Sequence, residues 1–396
     1  MELLAPAGNY EKFLTALHFG ADAVYLAGNR FGLRAFAGNF ADEEIKKASK
    51  LAHSLGKKVY VTLNIIARDA DFEGLKDYLL FLQNEAKVDA VIVADIGIMQ
   101  FVRVNAPLID IHLSTQANII NSYSANFFAD LGVKRLILAR ELSLEEIKTI
   151  RKNLSPKVEI EVFVHGAMCM AYSGRCLLSN YLSGRDSNHG ECVQACRWKY
   201  FVREVSRDDE LEVEEDEKGS YIFNSKDLNM LPYLKELKDA GVDSIKIEGR
   251  MKSSFYVATV VNAYRMALNL LPKKPTKALC DELLKASHRR YTTGFYFGEK
   301  NRQYLDDSAP VQNSEFMALV VEDAKNGSVM VEMRNKFSVG DTLEVLSPDK
   351  KTFNKKIKIE KITSSLGENV ESAKKVQEKV LINCDLPLKK GDILRK

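Results

Sequence analysis

The amino-acid sequence predicts an α/β chain: a (β/α)8, TIM-like barrel with a cysteine-rich insertion after its seventh strand, followed by a small C-terminal β-barrel domain. Three observations carry that expectation. From residue 2 onward short apolar runs alternate with amphipathic stretches, the pattern of a parallel sheet covered by helices. Four of the six cysteines crowd into a stretch rich in glycine and arginine, His165 to Tyr200. From Phe316 the helical periodicity gives way to alternating β patterns.

Taken in order, the strand candidates are ELLAP, AVYLA, KVYVTLN, AVIVAD, IHLSTQ, RLILARE, EIEVFVHG and SIKIEGR. Between them, NYEKFLTALHFG, ADEEIKKASKLAHSLG and SLEEIKTIRKNL space their apolar residues as helices do, and most such stretches stop near Gly or Pro. Eight units over about 250 residues fit a closed barrel better than an open sheet. The insertion, 165–220, leaves the seventh strand at the C-terminal mouth, where barrel enzymes assemble their sites. Within it, Asp208 to Glu217 carries eight acids and no base and reads as a solvated loop. YIFNSKDLNM then returns as an extra strand or extended segment before a helix. The barrel is expected to fill residues 1–270. Pro272 and Pro275 open a connection, 271–315, holding the short helix ALCDELLKASHRR. In the β domain, 316–396, FMALVVEDAKNGSVMVEMRN places Asn326-Gly327 between two alternating runs, a hairpin signal. DTLEVLS, KKIKIEKI and VLINCDL supply further strands, and the alternating lysines of KKIKIEK read either as a phosphate-contacting stripe or as a solvated face.

A chain of 396 residues accommodates one large domain plus a smaller one. Apolar residues at 46% and charged residues at 28% are ordinary globular values, and no run reaches the length of a membrane-spanning helix. The opening MELLAPAGNYEKF has neither a basic n-region nor a long apolar h-region, so the expectation is a cytoplasmic chain without a secretory leader. There thiols stay reduced, and a cysteine cluster points to metal or redox chemistry rather than disulfides. Cys280 and Cys384 stand alone and read as small buried apolar residues. Net charge is +3, but setting the acidic segment aside leaves 57 bases against 46 acids, a balance that suits either a polyanionic partner or an ordinary surface. No G-x-G-x-x-G follows the first strand and no Walker sequence occurs, so nucleotide cofactors of those kinds are unsupported. H-E-x-x-H and G-x-S-x-G are also absent, and no two of the six histidines stand at ligand spacing.

Cys169, Cys176, Cys192 and Cys196 read C-x6-C-x15-C-x3-C. Structural zinc sites use paired short knuckles, and only the second pair qualifies. A four-iron cluster takes its thiolates at separate corners and tolerates irregular spacing, with Gly166, Gly174, Gly184 and Gly190 allowing the chain to wrap it. A [4Fe-4S] cluster is thus the expected cofactor, with zinc the alternative and unligated or redox thiols the third reading; Arg175, Arg185 and Arg197 place positive charge beside the thiols. Trp198 reads as a packing residue or a stacking platform, and His165 as a partner of cluster or substrate or a structural imidazole. Polar residues leaving apolar strands describe a cup: Asn64, Asp95, Gln116, Asn118, Glu141, Asn224, Lys226, Asp227, Glu248 and Arg250, with His112 also placed at the mouth. Glu248 either orients Arg250, whose planar fork matches carboxylate or phosphate, or forms a plain structural pair with it. His165, Glu248 and Arg250 are the catalytic candidates; Arg34, Asn64, Gln116, Lys226, Asp227 and Arg290 are the substrate-binding candidates, with Arg34, Arg250 and Arg290 for an anion.

The stretch from Glu161 to Ser179, EVFVHGAMCMAYSGRCLLS, resembles the signature of the collagenase-like peptidase family, number thirty-two among peptidases of unassigned type. LLAPAG, FGLRAFAGNF, NSKDL, KIEGR and YTTGFYFG match as well, so the resemblance covers residues 1 to 300 and extends to the β-rich tail. Length, cysteine set and tail are most similar to the TrhP-like, tRNA-modifying branch. That resemblance implies oxygen-independent formation of 5-hydroxyuridine at the wobble position of tRNA. It also implies an iron-sulfur cluster on Cys169, Cys176, Cys192 and Cys196, and prephenate as a small anionic cosubstrate. Two other functions stay open on the sequence: a metal-dependent or unusual peptidase, and an iron-sulfur scaffold that binds RNA.

Overall fold

The structure, a computed structural model, describes residues 1–31, 39–169, 171–172, 175–189, 191–197, 215–216, 219–220, 226–298 and 311–396. Eight parallel strands close a barrel: β1 (Glu2–Pro6), β2 (Ala23–Leu26), β3 (Lys58–Leu63), β4 (Ala90–Val93), β5 (Asp110–Leu113), β6 (Arg135–Ile137), β7 (Glu159–Ala167) and β8 (Ser244–Ile247). β8 pairs with both β7 and β1, which shuts the ring. The strands are apolar along nearly their whole length because helices cover one face and the barrel interior the other.

The covering helices are α1 (Tyr10–His18), α2 (Asp42–Ser54), α3 (Leu75–Phe81), α4 (Ile96–Asn105), α5 (Ser122–Asp130), α6 (Leu144–Asn153), α7 (Leu234–Asp239) and α8 (Ser254–Leu268). In α2, Ile45, Ala48, Ser49 and Ala52 form the single buried stripe that helical periodicity requires. Asn9, Asp95, Asn121, Ser143 and Ser253 cap their helices by accepting a backbone N–H of the first turn. Asp95, expected in the cup, is thereby the N-cap of α4, accepting Ile98 N at 3.0 Å. α8 is buried on almost every side, since it lies between the barrel and the C-terminal domain.

The barrel floor is charged. Glu161 is fully buried and accepts from Arg135 Nη1 at 3.0 Å and Lys246 Nζ at 3.0 Å. Arg135 also donates to Glu2 at 2.6 Å and to Glu159, while Tyr60 Oη and Ser244 Oγ donate to Glu2 at 2.7 and 2.9 Å. Burial opposes ionisation of Glu2, but Arg135, Tyr60 and Ser244 outweigh it and hold the carboxyl below its ordinary range. Burial likewise lowers the pKa of Lys246 against the pull of Glu161. His112 belongs to this floor and not to the mouth: its ring packs edge-on against Tyr60 at 4.6 Å, and burial keeps it neutral, far below its ordinary pKa.

Past the connection and its helix Lys277–Glu282, an eight-stranded antiparallel sheet surrounds a core of its own. Asn326 and Gly327 both take positive φ, the two-residue turn that the hairpin Phe316–Val320/Ser328–Met333 demands. Lys356 and Lys358 flank the buried Ile357 on an edge strand, where charge discourages pairing with another chain. The sheet docks on the barrel through His18–Asp392 at 2.9 Å, Arg334–Glu11 at 3.3 Å and Phe255 stacked on Phe316. Arg395, fully buried, binds Glu282 of the connecting helix and Glu344 of the sheet.

Substituting Glu161→Ala strips Lys246 and Arg135 of a shared counter-charge in a dry interior, and about 3–5 kcal/mol of stability is expected to disappear. The urea midpoint measures this; a loss near zero would mean the floor charges are solvated.

Candidate active site

At the carboxyl ends of the strands the interior turns from apolar to hydrogen-bonding. Arg250, just beyond β8, is buried and lays its guanidinium across the mouth, with Nη1 donating to Thr62 Oγ1 at 3.2 Å and Nη2 to Asn39 Oδ1 at 2.9 Å. From the 3-10 turn after β5, Gln116 reaches over β4 to the end of β3, where its Oε1 accepts from Asn64 Nδ2. Ser114 Oγ donates to the same oxygen at 3.3 Å. Asn118, in the left-handed region at φ 55°, donates through Nδ2 to Gln116 O at 3.1 Å. Arg140, beyond β6, spreads its guanidinium 3.9 Å over the Phe163 ring and donates to Ala167 O at 2.7 Å. Glu248 is buried at the end of β8, where its backbone N–H donates to His165 O at 2.9 Å.

Two glycines permit these approaches. A Cβ on Gly8 would lie 2.1 Å from Arg250 O, and one on Gly166, whose φ is 100°, would lie 2.7 Å from Glu248 O. The loop after β1 and the end of β7 are therefore pressed against the backbone just beyond β8 as only glycine allows.

The insertion leaves β7 and is tied to the opposite side of the ring. Asn188 O accepts Ile66 N at 3.2 Å, and Asp186 stands 3.7 Å from Arg68, both partners lying just past β3. β3 and β7 are four strands apart in an eight-strand ring, so the insertion spans the mouth as a roof. Within it the helix Leu178–Ser183 packs on the turn Ala195–Arg197, and Ser187 Oγ and Asn188 Nδ2 both donate to Cys176 O, at 2.6 and 3.1 Å. Cys192 Sγ accepts Gln194 N at 3.4 Å.

None of the four insertion cysteines is bridged; Cys169 and Cys192 are exposed, Cys176 and Cys196 partly so. As donors, four thiols in one roof over a polar cup fit a cluster in kind. Among the described residues no three His, Cys, Asp or Glu side chains converge on a point that would hold a single metal ion.

The remaining candidates fall in different places. His165 is fully buried, with Tyr264, Tyr291 and Tyr256 rings at 5.5, 5.4 and 5.9 Å, and burial, aided by His288 and Lys252, lowers its pKa to about 3. Asp227 is buried in the short strand Asp227–Asn229, antiparallel to β7, and its Oδ2 accepts Arg289 N at 3.0 Å. Arg290 is exposed and its carbonyl accepts Asp227 N; Lys226 is partly exposed beside them. Arg175 and Arg185 are exposed on the roof. Arg34, Asn224, Trp198, Gly174 and Gly190 lie outside the described residues. Asn39, Thr62 and Arg140 join the mouth without having been singled out from sequence. A Thr inside an apolar strand and an Arg directly past one were the available signals.

The Peptidase family U32 model matches residues 8–306, and that of the Peptidase family U32 C-terminal domain matches 312–395. The tRNA hydroxylation protein P1 of Bacillus subtilis is 38% identical over 403 aligned residues, covering 100% of this chain and 94% of its own. The 23S rRNA 5-hydroxycytidine C2501 synthase of Escherichia coli is 39% identical, covering 68% of this chain and 40% of its own. The Collagenase of Porphyromonas gingivalis is 33% identical, covering 76% and 74%.

The His165 environment gives a pH test. Because its folded pKa lies below the ordinary value of 6.5, the unfolded chain binds the extra proton between those limits. Stability is complete above about pH 6.5 and falls as pH drops toward 3, by up to about 1.4 kcal/mol per pH unit from this group. His165→Phe should flatten the acid limb of stability against pH by that slope, read from urea midpoints between pH 4.5 and 7.5; an unchanged slope would place the imidazole in contact with water.

Proposed function

This chain belongs to peptidase family U32, and from that premise we propose that it is a tRNA modification enzyme that hydroxylates the wobble uridine at C5 without molecular oxygen. The observation that carries this reading is the relative named tRNA hydroxylation protein P1, similar over the whole chain and thus over barrel, roof and β domain together. A second relative named for 5-hydroxycytidine synthesis points to the same reaction on another pyrimidine.

The mouth suits that work. A wobble base lies in a single-stranded loop, so presenting C5 takes little unpairing. Exposed Tyr172 and Tyr181 on the roof and Tyr123 in the first turn of α5 offer faces for stacking, and Arg68, Arg175 and Arg185 offer charge to phosphates. Cys169, Cys176, Cys192 and Cys196 would hold a [4Fe-4S] cluster, which supplies one-electron transfer when bound. The buried fork of Arg250 matches the carboxylate of a small anionic cosubstrate, for which the family resemblance implies prephenate. The collagenase-named relative keeps proteolysis in view. Yet His112 and His165, the two histidines the sequence put at the mouth, are buried and held neutral against aromatic rings, His112 down on the floor, an environment for packing rather than for activating water.

Nucleoside mass spectrometry of tRNA from cells lacking this protein is expected to show loss of 5-hydroxyuridine and its derivatives, restored by the intact gene; unchanged levels in the absence of a second family member would sink the reading. Anaerobically purified protein should carry iron and sulfide, and Cys192→Ser should lower both together. Zinc with no sulfide would replace the cluster by the alternative metal.

A further inference from the structure

We propose that the turn capping β5 selects uracil over cytosine, with Gln116 Nε2 donating to O4 of the base and Asn118 Oδ1 accepting from its N3–H. This inference rests on the RNA-hydroxylation reading and names the group at the mouth that recognises the base.

Gln116 is 5% exposed, and its Nε2 is buried without a hydrogen-bond partner. The other end of the amide is committed: Oε1 accepts from Asn64 Nδ2 and from Ser114 Oγ at 3.3 Å, an arrangement that leaves the amino group over. Two residues on, Asn118 shows the opposite arrangement. Its Nδ2 is committed to Gln116 O at 3.1 Å, and its Oδ1 is buried without a partner. Folded proteins leave few buried polar atoms unsatisfied, because each forfeits its bond to water. Here one spare donor and one spare acceptor stand on a single short turn at the barrel mouth, both held by hydrogen bonds that leave them no local alternative.

A donor beside an acceptor complements one pyrimidine and opposes the other. Uracil presents an acceptor, O4, next to a donor, N3–H. Cytosine presents the N4 amino donor next to N3 as acceptor, so donor would face donor and acceptor would face acceptor. Sites that hydrogen-bond a polar group reject the analogue that cannot return the bond far more strongly than apolar pockets distinguish sizes. Engaging O4 and N3 leaves C5 and C6 of the ring free for the reaction.

The test is equilibrium binding of the full-length purified protein to fluorescent anticodon stem-loop RNAs that differ only in U or C at the wobble position. The intact protein should prefer the U loop by about tenfold or more. Gln116→Glu, which keeps shape and replaces the donor by an acceptor, should abolish or reverse the preference while total affinity, set by phosphate contacts, changes only a few-fold. Asn118→Leu should weaken the preference; thermal unfolding of each variant checks the fold. A U-over-C preference that survives Gln116→Glu and Asn118→Leu in folded protein overturns the proposal and leaves RNA hydroxylation standing. Intact protein that binds neither loop better than an unrelated hairpin overturns the RNA reading and this inference with it.

Discussion

A single carboxylate, Glu161, links the two cations of the barrel interior. It lies fully buried between Arg135 and Lys246, and Arg135 passes the connection on to Glu2. These groups come from β7, β6, β8 and β1, which are the strands on either side of the seam where the ring closes. Two cations inside a dry barrel would repel each other and each lose its hydration; with Glu161 and Glu2 among them the charges cancel and the remaining valences are hydrogen-bonded. Because the floor satisfies its own charges, Arg250 and Gln116 are not recruited downward. They remain at the mouth to face whatever enters.

Much of this architecture was legible in the sequence because a strand covered on both faces has to be apolar. All eight barrel runs stand out for that reason, as does the change of texture at Phe316. What the sequence conceals is the side of the strand on which a polar residue falls. His112 sits in an apolar run near its end, as a mouth residue would, yet its partners are Tyr60 and the floor charges. His165 also ends a strand, but the register shift between β7 and β8 at this point accompanies a ring packed among Tyr256, Tyr264 and Tyr291. Asp95 met the requirement of a helix N-terminus, a demand as local as the cup was distant. Asn64, Gln116 and Arg250 lie where strand-end reasoning puts them, and their mutual contacts could be known only from the fold, since the partners come from different strands.

The irregular cysteine spacing has a counterpart in the path of the chain. A zinc knuckle is a local device, built from one tight turn and its neighbour. The insertion is a crossing: it leaves β7, is pinned beyond β3 through Asn188 and Asp186, and packs its helix against the turn that bears Cys196. Long intervals between cysteines are what such a path needs. The grip of Ser187 and Asn188 on Cys176 O joins the second cysteine to the very residues that anchor the roof to the barrel. A segment so anchored joins opposite sides of the ring, and no loop confined to one side would do so.

This arrangement separates functions that a family could vary independently. The four cysteines, the floor charges and the Arg250 guanidinium carry no pattern of donor and acceptor that would tell uracil from cytosine. In the proposed recognition the amides after β5 would meet that difference, and they are carried on one short turn whose backbone is fixed by Ser114 and by Thr115 Oγ1 donating to Leu138 O at 3.0 Å. Relatives named for hydroxylating tRNA and for making 5-hydroxycytidine in ribosomal RNA would then need to diverge in few residues at the cup. On physical grounds a change of base is a change of two hydrogen-bond directions, and a side-chain amide or carboxylate on a rigid turn is the smallest element that can make it.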